Sequence, residues 1–490
     1  MSNEVRRRSR ALGRLVLIAA ALLAGRASAD APVLPFDMPA KEVLQQSPKK
    51  VFAHYVPWFP ISLDNLPASS DYYTTQYMDP DGEGGKHAAY GGLMRARPLP
   101  QAPVADANWK LRNFEKDVRR ALEIGLDGFS VDIPSVTGSL WDNVKLLMQA
   151  ASNVDPNFKI LLMPDMDGVF KNNPILLKPA MIALSAYPSA FRLGDGRLVV
   201  SPFNAQNWQP VMWTAWLKAM HTGGVDVAFV PTFQNWSNYA SSYQSISDGF
   251  ADWGSASAVA SQQGLYRYAP YDAHQYVPIW MAPVRPQVFW PSSYKYWESA
   301  MSVNFRKTWM TAIGGKADWV NLLTWNDYAE GTEIAPSTGT QRAFSDLTAY
   351  YVAWFKTGLP PIKRDVIYYF HRLQNTMAVP DWSKQTGGPM RFMMDWSTDV
   401  RRDEIEVVTF LTAPATVQIS VGATTQSFDV PAGEYFLHVP LAEGQPSFQV
   451  IRDGVTVVDL QSAFPISNTI VYQDLLYRGG SSTRPPVPTQ

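Results

Sequence analysis

The sequence predicts an α/β fold, a (β/α)8 TIM barrel, followed by a C-terminal antiparallel β-sandwich. Short apolar runs alternate with stretches of helical period through the first three quarters of the chain, giving eight strand and helix pairs. From about Asp365 the texture changes to short two-residue alternation broken by Pro, Gly and Ala-Pro. Between the two lies KTGLPPIKRD, where Gly358 can end a helix and Pro360-Pro361 prevents it continuing.

Each pair is read from its own residues. VFAHYVPW (51–58) precedes the helical NFEKDVRRALEIG, DGFSVDIPS (127–135) precedes LWDNVKLLMQAAS, and KILLMPDMD (159–167) precedes PILLKPAMIALSAY. LVVSPFNA is followed by VMWTAWLKAMHTG, and VDVAFVPTF by a Ser-rich helix candidate. The sixth strand is the short FADWG. YVPIWMAPV with YWESAMSVNFRKTWMTAI and WVNLLTW with FSDLTAYYVAWFKTG complete the barrel. VIYYFHR, EIEVVTFLTA, TVQISVGA, QSFDVPAGEYFLHVPL and SFQVIRDGVTVVDL read as sandwich strands. The expected boundaries are a leader over 1–29, the barrel over 30–361, the sandwich over 362–478 and a disordered tail over 479–490. The leader rests on a cationic RRRSR, an apolar LVLIAAALLAG too short to span a bilayer, and the small residues ASA before Asp30. It implies a secreted or periplasmic product, with no membrane segment once it is removed.

Composition narrows the chemistry. A formal net charge of −1 supplies no field to attract nucleic acid or an anionic membrane. The absence of cysteine removes disulfides, thiolate metal sites and cysteine nucleophiles. The six His lack metal spacing, no G-x-S-x-G or phosphate loop is present, and DPDGEGG (79–85) lacks the ligand alternation of a calcium loop, so no metal or cofactor is expected. With 17 Trp and 22 Tyr, the chain is rich in rings that cover C–H surfaces while their polar tips hydrogen-bond, which suits a neutral polysaccharide or oligosaccharide.

The candidate chemistry lies in WVNLLTWNDYAEGTEIAPS, Trp319 to Ser337, where an apolar strand runs into Asp327, Glu330 and Glu333. In a barrel this is the C-terminal end of the eighth strand, the rim on which active sites are built. Residues three apart face opposite ways on a strand and are neighbours on a helical turn, so Asp327 and Glu330 share a cleft only if the strand has ended. Two carboxyl groups flanking a neutral polymer bond meet the requirement of glycoside hydrolysis. Glu330 is the expected general acid and Asp327 the base. The same geometry nominates His54 and Tyr55 on strand one, Asp132 on strand two, Asp165 and Asp167 on strand three, Asn204 on strand four and Gln234 on strand five. Asp252 and Trp253 on strand six and Arg285 on strand seven follow, with Trp325, Asn326 and Tyr328 beside the acid pair. The insertion from Ile61 to Pro103 leaves the rim after strand one and is a candidate wall for the cleft.

VFAHYVPW, ALEIGLDGFSVDI and TWNDYAEGTEI, in that order, together with DVIYYFHR and the sandwich after it, resemble glycoside hydrolase family 71, the α-1,3-glucanases or mutanases. The likeness spans nearly the whole chain after the leader. It implies that Asp327 and Glu330 are the catalytic pair of an endo-acting, inverting α-1,3-glucanase. Ala329 and the following GTEI depart from that family's motif and resemble the E-W-x-E-G-T-x-I pattern of family 99 endo-α-mannosidases and mannanases, which implies retention and an α-mannan substrate. A glycan-binding protein without catalysis is the alternative from another class; the intact D-x-x-E favours an enzyme.

Overall fold

The computed structural model describes residues 33–254, 273–394 and 400–487; the expected leader lies outside them. The fold described below belongs to a unit running from Pro35 to Gln490.

The barrel strands are β1 (Lys50–Tyr55), β2 (Gly128–Ile133), β3 (Lys159–Pro164), β4 (Leu198–Val200), β5 (Val227–Phe229), β6 (Thr232–Phe233), β7 (Gly249–Asp252) and β8 (Ile279–Val284). After a hairpin of β9 (Val288–Trp290) and β10 (Lys295–Trp297), β11 (Trp319–Leu322) completes the set. They lie in the order β5-β4-β3-β2-β1-β11-β8-β7-β6, every pair parallel. β5 and β6 are halves of one strand interrupted at Pro231, which has no N–H to give. Val230 N donates to Val200 O on one side (3.0 Å) and Ala251 N to Pro231 O on the other (2.9 Å), so this strand joins both ends of the sheet. The nine segments are therefore eight strands around a closed barrel, and β7 is the short sixth strand that FADWG predicts.

Side chains alternate between the interior and the helices. Phe52, Leu161, Val199, Ala228, Val230, Ala251, Met281 and Trp319 pack together as one cluster with no exposed member. Two residues further along, Ser130 Oγ donates to Asn321 Oδ1 (2.7 Å) and Ser201 bonds Thr232 (2.9 Å). Gly128 opens β2 because a Cβ there would stand 1.8 Å from Lys159 O. The helices Trp109–Glu123, Gly138–Val154, Leu177–Ser185, Pro210–Thr222, Val303–Gly314 and Ala343–Thr357 pack outside. In the first, Phe114, Val118 and Ala121 are buried at i, i+4 and i+7. The Ser-rich stretch after β6 forms only one α-turn, Ala240–Tyr243, between 3-10 turns, since it has little apolar surface to bury.

The sandwich strands are β12 (Val366–His371), β13 (Arg391–Met393), β14 (Glu404–Leu411), β15 (Ala415–Val421), β16 (Thr424–Val430), β17 (Gly433–Pro440), β18 (Ser447–Arg452), β19 (Val455–Gln461) and β20 (Arg478–Ser481). Two antiparallel sheets, β17-β14-β12-β20 and β16-β15-β18-β19, face each other. β15 alternates buried and half-buried residues, as a sheet with one wet face should. β12 is buried on both faces: Ile367 and Tyr369 join the sandwich core, while Phe370 packs on Phe344 of the last barrel helix at 4.9 Å. β13 leaves the sandwich to pair with β10 of the barrel. The expected tail is partly strand: Arg478–Ser481 pairs with β12, and Arg484 bonds both oxygens of Asp346 at 3.0 Å.

Candidate active site

β11 stops at Leu322, the Leu323–Thr324 peptide is cis, and the chain turns. Asp327 N donates to Thr324 Oγ1 (2.8 Å), and Asp327 Oδ1 accepts the amides of Ala329 and Glu330, each at 3.2 Å. Thr332 N returns to Asp327 O at 3.1 Å and Thr324 N donates to Thr332 O at 2.9 Å. Gly331 sits at φ 62°, a conformation that costs glycine little, and a Cβ there would meet Leu476 at 2.6 Å. The D-x-x-E is thus wound into a self-capped turn, and its two carboxyl groups border one cavity.

That cavity, about 210 Å³, lies at the C-terminal ends of the barrel strands and is lined by His54, Trp58, Asp132, Asp165, Trp253 and Trp290 besides Asp327 and Glu330. Burial pushes the Asp327 carboxyl up to about 6, against the pull of the Glu330 and Ala329 amides. Burial, and then the charge of Asp327, push Glu330 up to about 8, against Arg285 and the Trp290 indole. At neutral pH Glu330 therefore keeps its proton while Asp327 has given up its own. Asp132 is held well above the ordinary carboxylate range, first by burial and then by Asp165 and Asp327; its Oδ1 is buried and meets no partner among the described residues. Burial lowers His54 to about 3, so its ring is neutral, edge-on to Trp253 at 5.0 Å between centroids. Its Nδ1 is likewise buried without a partner among the described residues. Protonation of Glu330 limits how much like charge the pocket must hold.

Glu333, the third carboxylate of the stretch, is fully buried and does not line the cavity. Its two oxygens have no hydrogen-bond partner among the described residues, and burial raises it to about 8.

Of the sequence-nominated residues, His54, Asp132, Asp165, Trp253, Asp327 and Glu330 come together, with Gln234 beside them. The others are engaged elsewhere. Tyr55 follows inward-facing His54 by one residue and so points at the helices, where its hydroxyl donates to Asp117 at 3.0 Å. Asp252 is one residue out of step with Trp253 and accepts Trp236 N at 3.0 Å. Trp325 is buried against Phe129 at 5.1 Å. Asn326 holds the loop after β1, accepting Val56 N (2.9 Å) and donating to Val56 O (3.0 Å) and Phe59 O (2.8 Å). Tyr328 packs among Val56, Phe59, Tyr73 and Met94, which makes the Ile61–Pro103 insertion a buttress of the D-x-x-E turn. Inside that insertion Arg97 pairs with Asp71, both buried, and Glu83 of DPDGEGG bonds His87 at 2.6 Å. Asn204 and Asp167 bond each other beside the site, Asn204 also accepting Gln234 Nε2 at 2.9 Å. Arg285 is buried, and its charge opposes the rise of Glu330.

Sequence reasoning missed Trp58, Phe203, Trp290 and Thr324. The period-two count that puts His54 and Asp132 inside also puts Phe203 inside, two residues after Ser201, so that one carried a signal. Trp58 comes from the irregular loop after β1 and Trp290 from the end of β9, in the hairpin inserted after β8, and neither carried a signal.

A sequence model of glycosyl hydrolase family 71 matches residues 104–477. A glucan endo-1,3-alpha-glucosidase of Schizosaccharomyces pombe is 25% identical over 403 residues, covering 75% of this chain and 92% of that protein. A mutanase of Penicillium rubens is 23% identical over 403 residues, covering 76% and 86%. Among solved structures, a family 99 endo-alpha-mannosidase of Bacteroides thetaiotaomicron superposes with a TM-score of 0.47 at 14% identity, over 63% of this chain and 98% of that one.

Proposed function

The chain belongs to glycosyl hydrolase family 71 and is a glycoside hydrolase, and on that premise we propose that it is an exported endo-1,3-α-glucanase using Glu330 as general acid and Asp327 as general base. The observation that carries the assignment is the pair itself: two carboxyls on one turn at the barrel rim, bordering one cavity, one held up to about 8 and the other to about 6. Glu330 gives its proton to the leaving glycosidic oxygen as the C–O bond breaks. Asp327 takes a proton from the water that attacks the anomeric carbon. His54, Asp132 and Asp165 reach the sugar ring in the cleavage subsite, where the buried unpaired atoms of His54 and Asp132 are natural partners for hydroxyls. Trp58, Trp253 and Trp290 supply ring faces for its C–H surface. The α-1,3 linkage is supported by the curated relatives, a glucan endo-1,3-alpha-glucosidase and a mutanase, and export by the leader-like first 29 residues. Inversion is what the family resemblance implies.

The test is to incubate the protein with α-1,3-glucan, α-1,4-glucan and α-mannan and to follow reducing ends and, in the first seconds, the product anomer by proton NMR. New ends from α-1,3-glucan, initially as the β-anomer, are expected. Asp327→Asn and Glu330→Gln each lower kcat about 100-fold or more while the folded signature by circular dichroism persists. An initial α-anomer refutes inversion, cleavage of mannan alone refutes the substrate, and a variant with near-native turnover refutes its residue's role.

A further inference from the structure

A second cavity of about 290 Å³ opens on the same rim, between the connections that follow β1 and β2. Trp58, Leu63 and Tyr77 come to it from the first connection, Asn113 from the second turn of Trp109–Glu123, and Asn143 from the second turn of Gly138–Val154. Each helix enters from the C-terminal end of its strand, so its first turns belong to the catalytic face. Trp58 borders both this cavity and the catalytic pocket, which makes the two neighbouring stations separated by one indole.

The lining has the chemistry of an uncharged polyhydroxylated ligand. Trp58 and Tyr77 offer ring surface, while Asn113 and Asn143 offer amides, with Lys110 the one Lys or Arg among the lining residues. Asn143 Nδ2 is spent on Pro57 O at 2.8 Å, which ties this helix to the residue before Trp58. Asn113 is 1% exposed; its Oδ1 accepts Gln101 Nε2 at 2.8 Å, whereas its Nδ2 has no partner among the described residues. A buried amide donor left unpaired is unfavourable unless something fills it, and a sugar hydroxyl in this cavity would.

We propose that this cavity is a further glycan subsite, taking a glucosyl unit of the chain away from the scissile bond, with Trp58 as the platform shared between it and the cleavage subsite. The inference rests on the α-glucanase reading and deepens it: an enzyme that grips the polymer on both sides of a shared indole acts inside chains rather than at their ends.

The experiment measures kcat/KM of the full chain on reduced α-1,3-linked gluco-oligosaccharides from trisaccharide to heptasaccharide, for the wild type, Asn113→Leu and Tyr77→Leu. The readout is the ratio of the longest to the shortest cleaved oligomer, which does not depend on how much of a variant is folded. In the wild type the ratio rises steeply at one added unit, and in both variants it falls about tenfold, the equivalent of one lost hydrogen bond or stacking contact. A wild-type ratio near one, or variants that keep the wild-type ratio, overturns the subsite while leaving the hydrolase reading intact. A wild type that cleaves none of the oligomers overturns the substrate assignment, and the subsite with it.

Discussion

Asp327 and Glu330 begin in the ordinary carboxylate range and are driven apart by where the chain puts them. The proposed roles need Asp327 ionised in the free enzyme, so kcat/KM is expected to fall as pH drops through about 6; they need Glu330 protonated, so kcat/KM is expected to fall as pH rises through about 8. The expected profile is a bell with its plateau between those values, the two limbs belonging to the pair because each carboxyl feels the other. In Asp327→Asn the alkaline limb moves to lower pH, since the charge that adds to burial in holding Glu330 up is gone. An unmoved limb in the residual activity of that variant means that another group is the acid. Glu333 gives a stability counterpart. Its carboxyl holds a proton up to about 8 in the folded chain and up to about 4.3 unfolded, so the folded state binds more protons and loses stability as pH rises between those values. Glu333→Gln removes that loss: its melting temperature matches the wild type near pH 4 and exceeds it at pH 9. Equal melting temperatures at pH 9 contradict a buried ionisable Glu333.

At the scale of elements, the D-x-x-E turn is carried by its neighbours more than by its own strand. Asn326 joins the turn after β11 to the loop after β1 by three hydrogen bonds, and that loop carries Trp58. Asn326→Ala leaves buried backbone groups of Val56 and Phe59 unpaired and costs about 3 kcal/mol by urea unfolding. It should also lower kcat/KM, because the aromatic wall is released together with the turn. An activity loss without a stability loss would instead put Asn326 in contact with substrate. The alternation of strand residues explains which nominated side chains reach the pocket. His54, Asp132, Asp165 and Trp253 are in step with the interior residues Phe52, Ser130, Leu161 and Ala251, whereas Tyr55 and Asp252 are one residue out of step. That much was legible in the sequence, since a period of two fixes the facing once one interior residue is known. The engagements of Trp325, Asn326 and Tyr328 were not legible, because beyond β11 the chain no longer follows a period.

At the scale of the molecule, the barrel and the sandwich share a buried boundary. Arg372 meets Glu298 at 3.0 Å, Tyr477 donates to the same carboxylate at 2.6 Å, and Arg306 meets Glu406 at 2.7 Å. Arg372, Glu298 and Glu406 are each almost completely buried. Removing one member strands a buried charge, so Glu298→Ala costs about 3 to 5 kcal/mol. A chain truncated at 361 exposes Phe344 and Tyr350, which now pack on Phe370 and Phe410, and should aggregate, whereas the full chain melts in one calorimetric transition. Two separable transitions, or a soluble active barrel, would show that the boundary is dispensable.

The sequence by itself determined the eightfold strand rhythm, the change to sandwich texture near Asp365, and the carboxylates at the end of the eighth strand. Each is a local pattern of period or composition, written in consecutive residues. Only the tertiary structure decided that β5 and β6 close the barrel around Pro231 and that β12 is buried on both faces. It alone decided that Glu333 is sequestered while Glu330 borders the cleft, and that Trp58 stands between two cavities. Those outcomes depend on which distant segments meet, and burial and charge proximity, the quantities that push two carboxyls to about 8 and about 6, exist only after they have met.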